Sequence, residues 1–419
     1  MKIAVIGAGI SGISAAYHLQ SKHDVTLMEK ANKIGGHANS VAVDDETLSG
    51  VNVDTGFIVF NDRNYPLFTK FLHQLGVNFV KTDMSFSYTN LSAKVGYAGT
   101  AKGLTPTLSK TFSLHHWLRI KGLYKYSRIL SSFAKRDLPA GNIVECLEEI
   151  GCPKDVIENY FIPMASAIWS CDQSASREIP SRAFIDFFLN HGLLGIKGRP
   201  NWNTVQGGSQ SYIEAFQNSF QGRIKLHQDV KIVLERSSKV VVTTQSGVES
   251  FDCVVIATHA DTSLQILPGI PPAKKSILLK HKYVENQVVL HNDEKFMPLN
   301  ERMWASWNVN GEDGGDGTTI FQTSYFMNRL QRLKAENSYI VTVNPIREPE
   351  TDSILFSAKY KHPLLKQDKR SNGLDFENLN QGGRIFFCGS YLGYGFHEDG
   401  FKSGLEVSKI VQKRHVDSE

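Results

Sequence analysis

Apolar and polar positions along this chain follow two periods, and the switches between them mark its elements. Lys2–Ile6 is a short run of mostly β-branched apolar residues with no polar interruption, the pattern of a strand buried on both faces. Ile13–Gln20 continues with helical spacing, and Val25–Met28 is a second buried run. Tyr65–Leu75 predicts an amphipathic helix with Leu67, Phe68, Phe71, Leu72 and Leu75 on one face and Gly76 as its stop. Ser113–Phe133 predicts a longer helix. Asn142–Glu149 and Val156–Ala167 predict shorter ones, and Phe184–Leu194 is unusually apolar. After a helix over Tyr212–Phe220, strands are expected over Ile224–Leu234, Lys239–Thr244 and Glu249–Ala257. Leu278–Asp293, Met303–Asn308 and Thr319–Thr323 read as strands of another sheet, and Gly383–Ser390 and Phe401–Val411 as a closing strand and helix.

The first two strands and the helix between them carry chemistry. Gly7-Ala8-Gly9-Ile10-Ser11-Gly12 joins the first strand to the helix, and the second strand ends on Glu29. This glycine spacing, in this context, is the βαβ dinucleotide fingerprint. Gly7 permits the tight turn, Gly9 lets the backbone approach a pyrophosphate, and Gly12 allows close helix–strand packing. The helix start at Ile10 and Ser11 offers unpaired N–H groups to phosphate, and Glu29 can accept both ribose hydroxyls.

Composition narrows the class. With 419 residues, 41 % hydrophobic and 21 % charged, the chain suits a globular protein of two intertwined domains. A net charge of +4 is too small to argue for a nucleic-acid partner. Five scattered cysteines (Cys146, Cys152, Cys171, Cys253 and Cys388) form no CxxC pair and no metal-ligand spacing. The chain opens directly on a strand, and no apolar run approaches the ~18 residues of a membrane span. A cytoplasmic protein is expected.

Glu29-Lys30, a short spacer, then Gly35-Gly36 resembles the extended signature of the two-dinucleotide-domain flavoproteins, a group that includes amine oxidases, protoporphyrinogen oxidase and phytoene-desaturase-like enzymes. The resemblance implies an α/β fold: a Rossmann-type FAD-binding domain (1–75, 203–272 and 380–419) interleaved with an α+β substrate-binding domain (76–202 and 273–379). It implies FAD as cofactor, and non-covalent attachment follows because no Cys or His stands at an evident linkage position. Where the family has Arg after the glycine pair, this chain has His37, one donor in place of five. By resemblance, Gly56 and Phe57 pass near the flavin ring, Val230 meets the adenine and Thr258 lies beside the dinucleotide. A plain bulged strand is the alternative for Gly56.

Gly389-Ser390, a glycine-rich loop through Tyr391 and Tyr394, then His397-Glu398-Asp399-Gly400 looks like the family's second FAD motif, with Ser390 where Asp is usual. His397 and Glu398, with Tyr394, are the candidates for proton handling, phosphate or ribityl hydrogen bonding being the competing role. In the amine oxidases a Lys on the first strand of the substrate sheet faces the flavin; here the register places Gln287, which argues against amine oxidation. Trp304, Trp307 and Tyr391 are the candidate substrate contacts. GGHANS, VDTGFIVFN, MWASWN and GSYLGYGFHEDG are most similar to a bacterial group of NAD/FAD-binding oxidoreductases whose genes lie beside those of cyclopropane-fatty-acid-synthase-like enzymes. That similarity implies a fatty-acyl or phospholipid substrate and a lipid-modifying enzyme as partner.

Between Met84 and Arg136 stand nine Lys or Arg and no Asp or Glu. A basic aromatic helix there, within 110–136, fits contact with an anionic membrane surface. A solvated face of a helical lobe fits the same pattern. The expected function is an FAD-dependent oxidoreductase of a hydrophobic substrate; a redox-neutral lipid isomerase or hydratase, or a lipid-binding flavoprotein without turnover, would show the same motifs.

Overall fold

In the computed structural model the described residues are 1–44, 50–90, 92, 95–100, 103–105, 112–133, 141–195, 198–315, 317–365 and 372–416. The expected βαβ unit is present as β1 (Lys2–Ile6), α1 (Ile10–Leu19) and β2 (Asp24–Met28). β1 pairs in parallel with β2 on one side and with Cys253–Ile256 on the other. Arg223–Lys225 and Ile385–Phe387 complete a five-stranded parallel sheet. Both of its faces are covered, which is why its strands read as unbroken apolar runs. Ile3 and Val5 join the core shared with α1 and the C-terminal helix His397–Val416. Ala4 and Ile6 face a three-stranded meander that contributes Val233, Val240, Val242 and Phe251. The first and last helices are locked together where Ser14 Oγ donates to the Phe401 carbonyl at 2.7 Å.

The second layer is a seven-stranded sheet in the order Ile354–Pro363, Tyr283–His291, Ile340–Val343, Thr319–Phe326, Trp307–Asp313, Phe86–Asn90, Val95–Ala98. A lobe of helices from Leu114 to Asn190 packs on it, its core joining Phe161, Phe184 and Phe188 to Tyr88, Val309 and Phe321 of the sheet.

Several expected boundaries move. Ile224–Leu234 is two strands in different sheets, because His227 turns the chain at φ +56°. Leu278–Asp293 splits into a helix (Pro272–Leu279) and a strand (Tyr283–His291). Trp304 is not in a strand: a helical turn at Glu301–Met303 precedes it, and the strand starts at Trp307. The long strand Ile354–Pro363 has no counterpart in the sequence reading. Its half-buried, half-exposed alternation includes lysines, which hides the apolar period. No described helix is long and apolar enough to cross a membrane.

Candidate active site

A cavity of about 870 Å³ lies between the two sheets, in the size range of cofactor and ligand pockets. One part is walled by Gly7, Gly9, Ile10, Ser11, Glu29, Lys30, Gly35, Gly36, His37, Val230, Thr258, Gly389 and Ser390. The βα turn here is set by sterics. A Cβ on Gly12 would lie 1.9 Å from the Gly7 carbonyl oxygen, so only glycine lets α1 start this close to β1. Gly9 is different: a Cβ there meets nothing within 4 Å. The fold itself leaves room in front of Gly9, where the unpaired N–H groups of α1 begin. Gly9 caps this helix with no side-chain hydrogen bond. Glu29 is held by the Ala8 N–H (2.8 Å) and the Ala31 N–H (2.9 Å), which fix its carboxylate beside the turn.

His37 stands in a group of three cavity-lining histidines, with ring centres 5.4 Å from His362 and 5.9 Å from His259. Burial, then the neighbouring rings, lowers its pKa to about 3. His362 is lowered to about 4, chiefly by burial, and the Asn286 amide donates to its Nδ1 at 2.7 Å. Burial lowers His259 too, so all three are neutral imidazoles, and the one N–H of His37 is donated to the Lys361 backbone. His37 Nε2 is buried without a protein partner. A polar ligand with a donor beside Gly36, such as a dinucleotide hydroxyl, would satisfy it. The Gly9 space, the Glu29 carboxylate and this orphaned nitrogen together fit FAD.

Gly56 lines the cavity, but its glycine has a second cause: a Cβ would sit 2.1 Å from the His37 carbonyl oxygen. Behind it, Asp54 is 1 % exposed and joins three segments. It accepts from Ser40 Oγ, from the Ser209 N–H and hydroxyl, and from Gln331 Nε2. Burial raises its pKa to about 6. The sequence reading missed it, since its partners lie up to 277 residues away.

The other part of the cavity is apolar. Met164, Ile168 and Trp169 come from helix Ile162–Trp169 and Phe187 from helix Ser181–Asn190, His191 and Leu193 follow, and Trp202, Trp307, Tyr325 and Val343 come from strands. His191 stacks on Phe187 at 3.8 Å and is held neutral, its pKa lowered to about 4 by burial.

The C-terminal loop departs from expectation. Glu398 is a cap: its two oxygens accept from the Leu67 and Phe68 N–H groups, both at 2.9 Å, at the start of helix Pro66–Gln74. Asp399 folds the loop, accepting from the Tyr394 and Phe396 N–H groups at 2.8 and 3.0 Å. Gly400 is a packing glycine, where a Cβ would lie 2.7 Å from Ile10 Cγ2. None of these three lines the cavity. His397 does, but its ring is stacked on Phe57 at 3.7 Å and its Nε2 meets the Tyr212 hydroxyl at 2.9 Å. Burial holds its pKa well below the ordinary imidazole range. Tyr394 and Phe57 line the cavity; Trp304 does not, its indole N–H going to the Pro298 carbonyl. Tyr391 lines it from the core beneath the parallel sheet, not among the apolar wall. From Tyr283–His291 the wall takes Glu285 and Val288, while Gln287 donates to Ser357. Lys359 and Lys361 line the wall too, each at 2.9 Å from a carboxylate, Glu285 and Asp261 respectively.

These features define a flavoprotein oxidoreductase site. The profile of flavin-containing amine oxidoreductases matches residues 10–355, and the chain belongs to that family, with FAD as cofactor. A 49-residue stretch, 12 % of the chain, is 50 % identical to 4,4'-diapophytoene desaturase of Staphylococcus aureus, whose length it spans by only a tenth. The whole fold is similar to cyclohexylamine oxidase from Brevibacterium oxydans IH-35A (TM-score 0.67, 14 % identity, 99 % of each chain covered). It is also similar to a CLA-producing fatty acid isomerase from P. acnes (TM-score 0.68, 13 % identity, 98 % of each chain covered).

Proposed function

We propose that the chain oxidises a hydrophobic acyl substrate, a fatty acid or phospholipid, at the apolar part of the cavity. The observation that carries this is the wall itself: Met164, Ile168, Trp169, Phe187, Leu193, Trp307 and Tyr325 continue directly from the cofactor residues. An ammonium substrate would need a counter-charge, and the acidic group of this wall, Glu285, is already paired with Lys359 at 2.9 Å. The names of the desaturase and the fatty acid isomerase support the same substrate class.

When bound, FAD supplies the two-electron acceptor for a hydride leaving the substrate. The chain does the rest. Its aromatic wall excludes water and aligns a flexible chain. Its buried histidines are neutral and add no fixed positive charge to the cavity. Helix His397–Val416 starts at the cavity with its positive dipole end.

Anaerobic mixing of the FAD-loaded protein with oleic acid or a phospholipid tests the reading. Bleaching of the flavin absorbance, with unsaturated or oxidised product, is expected. Product without bleaching would establish a redox-neutral isomerase or hydratase instead, and neither product nor bleaching would leave a lipid-binding flavoprotein. Bleaching with simple amines alone would overturn the acyl assignment.

A further inference from the structure

The helix Leu114–Ser132 has an outward stripe with an unusual division along its length. Leu114, Leu118, Lys121, Lys125 and Arg128 recur at intervals of four and three and share one face. His116, Tyr126, Ser127 and Leu130 are buried opposite, against the lobe. At the N-terminal end the residues of this stripe and the one just before it are apolar: Phe112 is 83 % exposed, Leu114 74 % and Leu118 55 %. Leu104 is exposed beside them, on a loop pinned where its carbonyl meets His116 Nε2 at 2.8 Å. The next turns of the stripe are basic. Arg119, on the inward side, is excluded from this set by a two-pronged ion pair with Asp155 at 2.6 and 2.8 Å. Ile120 and Leu123 of the same helix are not among the exposed hydrophobics. Of the basic window, Lys94, Lys102, Lys110, Lys135 and Arg136 lie outside the described residues, as do the ends of 110–136.

We propose that this end of the helical lobe docks on an anionic lipid bilayer, with Phe112, Leu114 and Leu118 inserted as an apolar tip and Lys121, Lys125 and Arg128 as a basic collar. The dimensions match the layering of a bilayer surface. Leu114 to Leu118 spans roughly 6 Å of helix axis, within the ~5–10 Å to which interfacial segments sink. Lys121 follows one turn further out, at the depth of the phosphates. Charge selects the occupant: between residues 84 and 136 there is no Asp or Glu, so the stripe itself presents only positive charge to an anionic surface. A protein partner or a second copy would bury the tip without needing the collar. The helix packs on Ser181–Asn190, which carries Phe187 into the cavity wall, so the docked face is one helix removed from the proposed acyl site. The docking itself rests on the surface, not on the substrate.

The test is flotation of the FAD-loaded full chain with phosphatidylcholine vesicles, with and without phosphatidylglycerol. Binding is expected only with the anionic lipid and should fall with salt, since screening acts over about 8 Å at physiological ionic strength. Lys121→Gln, Lys125→Gln and Arg128→Gln together should weaken it about 100-fold, from roughly five-fold per charge. Phe112→Ser with Leu118→Ser should abolish it. Changing Lys22, Lys334 and Lys413 to Gln should leave it intact. Unchanged FAD content and melting temperature would show that each variant is folded. Equal binding to neutral vesicles, no binding at low salt, or undiminished binding by the triple variant would overturn the proposal. So would a tip variant that alters the oligomeric state and not flotation.

Discussion

The two parts of the cavity are built by opposite means. The cofactor part is made of backbone: glycines, helix-start N–H groups and a carboxylate pinned by two amides, drawn mainly from residues 7–37. The apolar part is made of single side chains from segments between Met164 and Val343, none contributing more than a few. A site that binds a constant ligand through backbone must constrain local sequence, because only glycine fits certain positions. A site that binds through side-chain surface constrains only size and polarity, which many residues supply.

Two neighbouring glycines break this comparison most sharply. Gly12→Val puts a side chain 1.9 Å from the Gly7 carbonyl and should yield little folded protein. Gly9→Ala meets nothing within 4 Å. It should leave the apoprotein's melting temperature unchanged while lowering FAD affinity tenfold or more, about 1.4 kcal/mol. Equal melting loss in both would mean that the space before Gly9 is not a cofactor space.

The histidines give the next effect, through pH. His362 has a folded pKa of about 4 against 6.5 unfolded, so the unfolded chain binds the proton first as pH falls. Its contribution is present above pH 6.5 and lost towards pH 4, about 3 kcal/mol in all. Asp54, raised to about 6, acts with opposite sign: its contribution is full below pH 4 and lost as pH rises through 6. Denaturant melts of the apoprotein should show His362→Asn flattening the acid side of the stability curve. An unchanged slope would count against a buried neutral imidazole.

Glu29→Ala should weaken FAD retention by roughly 1.5–3 kcal/mol, as expected for hydrogen bonds to a charged group. Full FAD content after extensive dialysis would reject the assignment. Smallest is Glu398→Ala. As the cap of Pro66–Gln74, Glu398 is expected to cost about 1 kcal/mol of stability on removal, with flavin reduction by substrate nearly unaffected. A collapse in the reduction rate with no loss of stability would restore it to the chemistry.

Local steric rules made part of this protein legible from sequence. The first βαβ unit was readable because its turn admits only glycine and its strands are buried on both faces. The helix Leu114–Ser132 was also legible from its spacing, with its Ser113 cap accepting from the His116 N–H. Tertiary structure alone decided what partners each polar group finds. Glu398 and Asp399 look like active-site acids beside a glycine loop, yet their oxygens are taken by N–H groups, for Glu398 from a helix some 330 residues earlier. Trp304 and Trp307 differ by three residues, but a single helical turn sends only the second to the cavity. The three histidines meet because a turn before strand Ser40–Val43, the cap of helix Ala260–Ile266 and strand Ile354–Pro363 come together. Periodicity reports which face of an element is buried; it carries no information on which distant face it will meet.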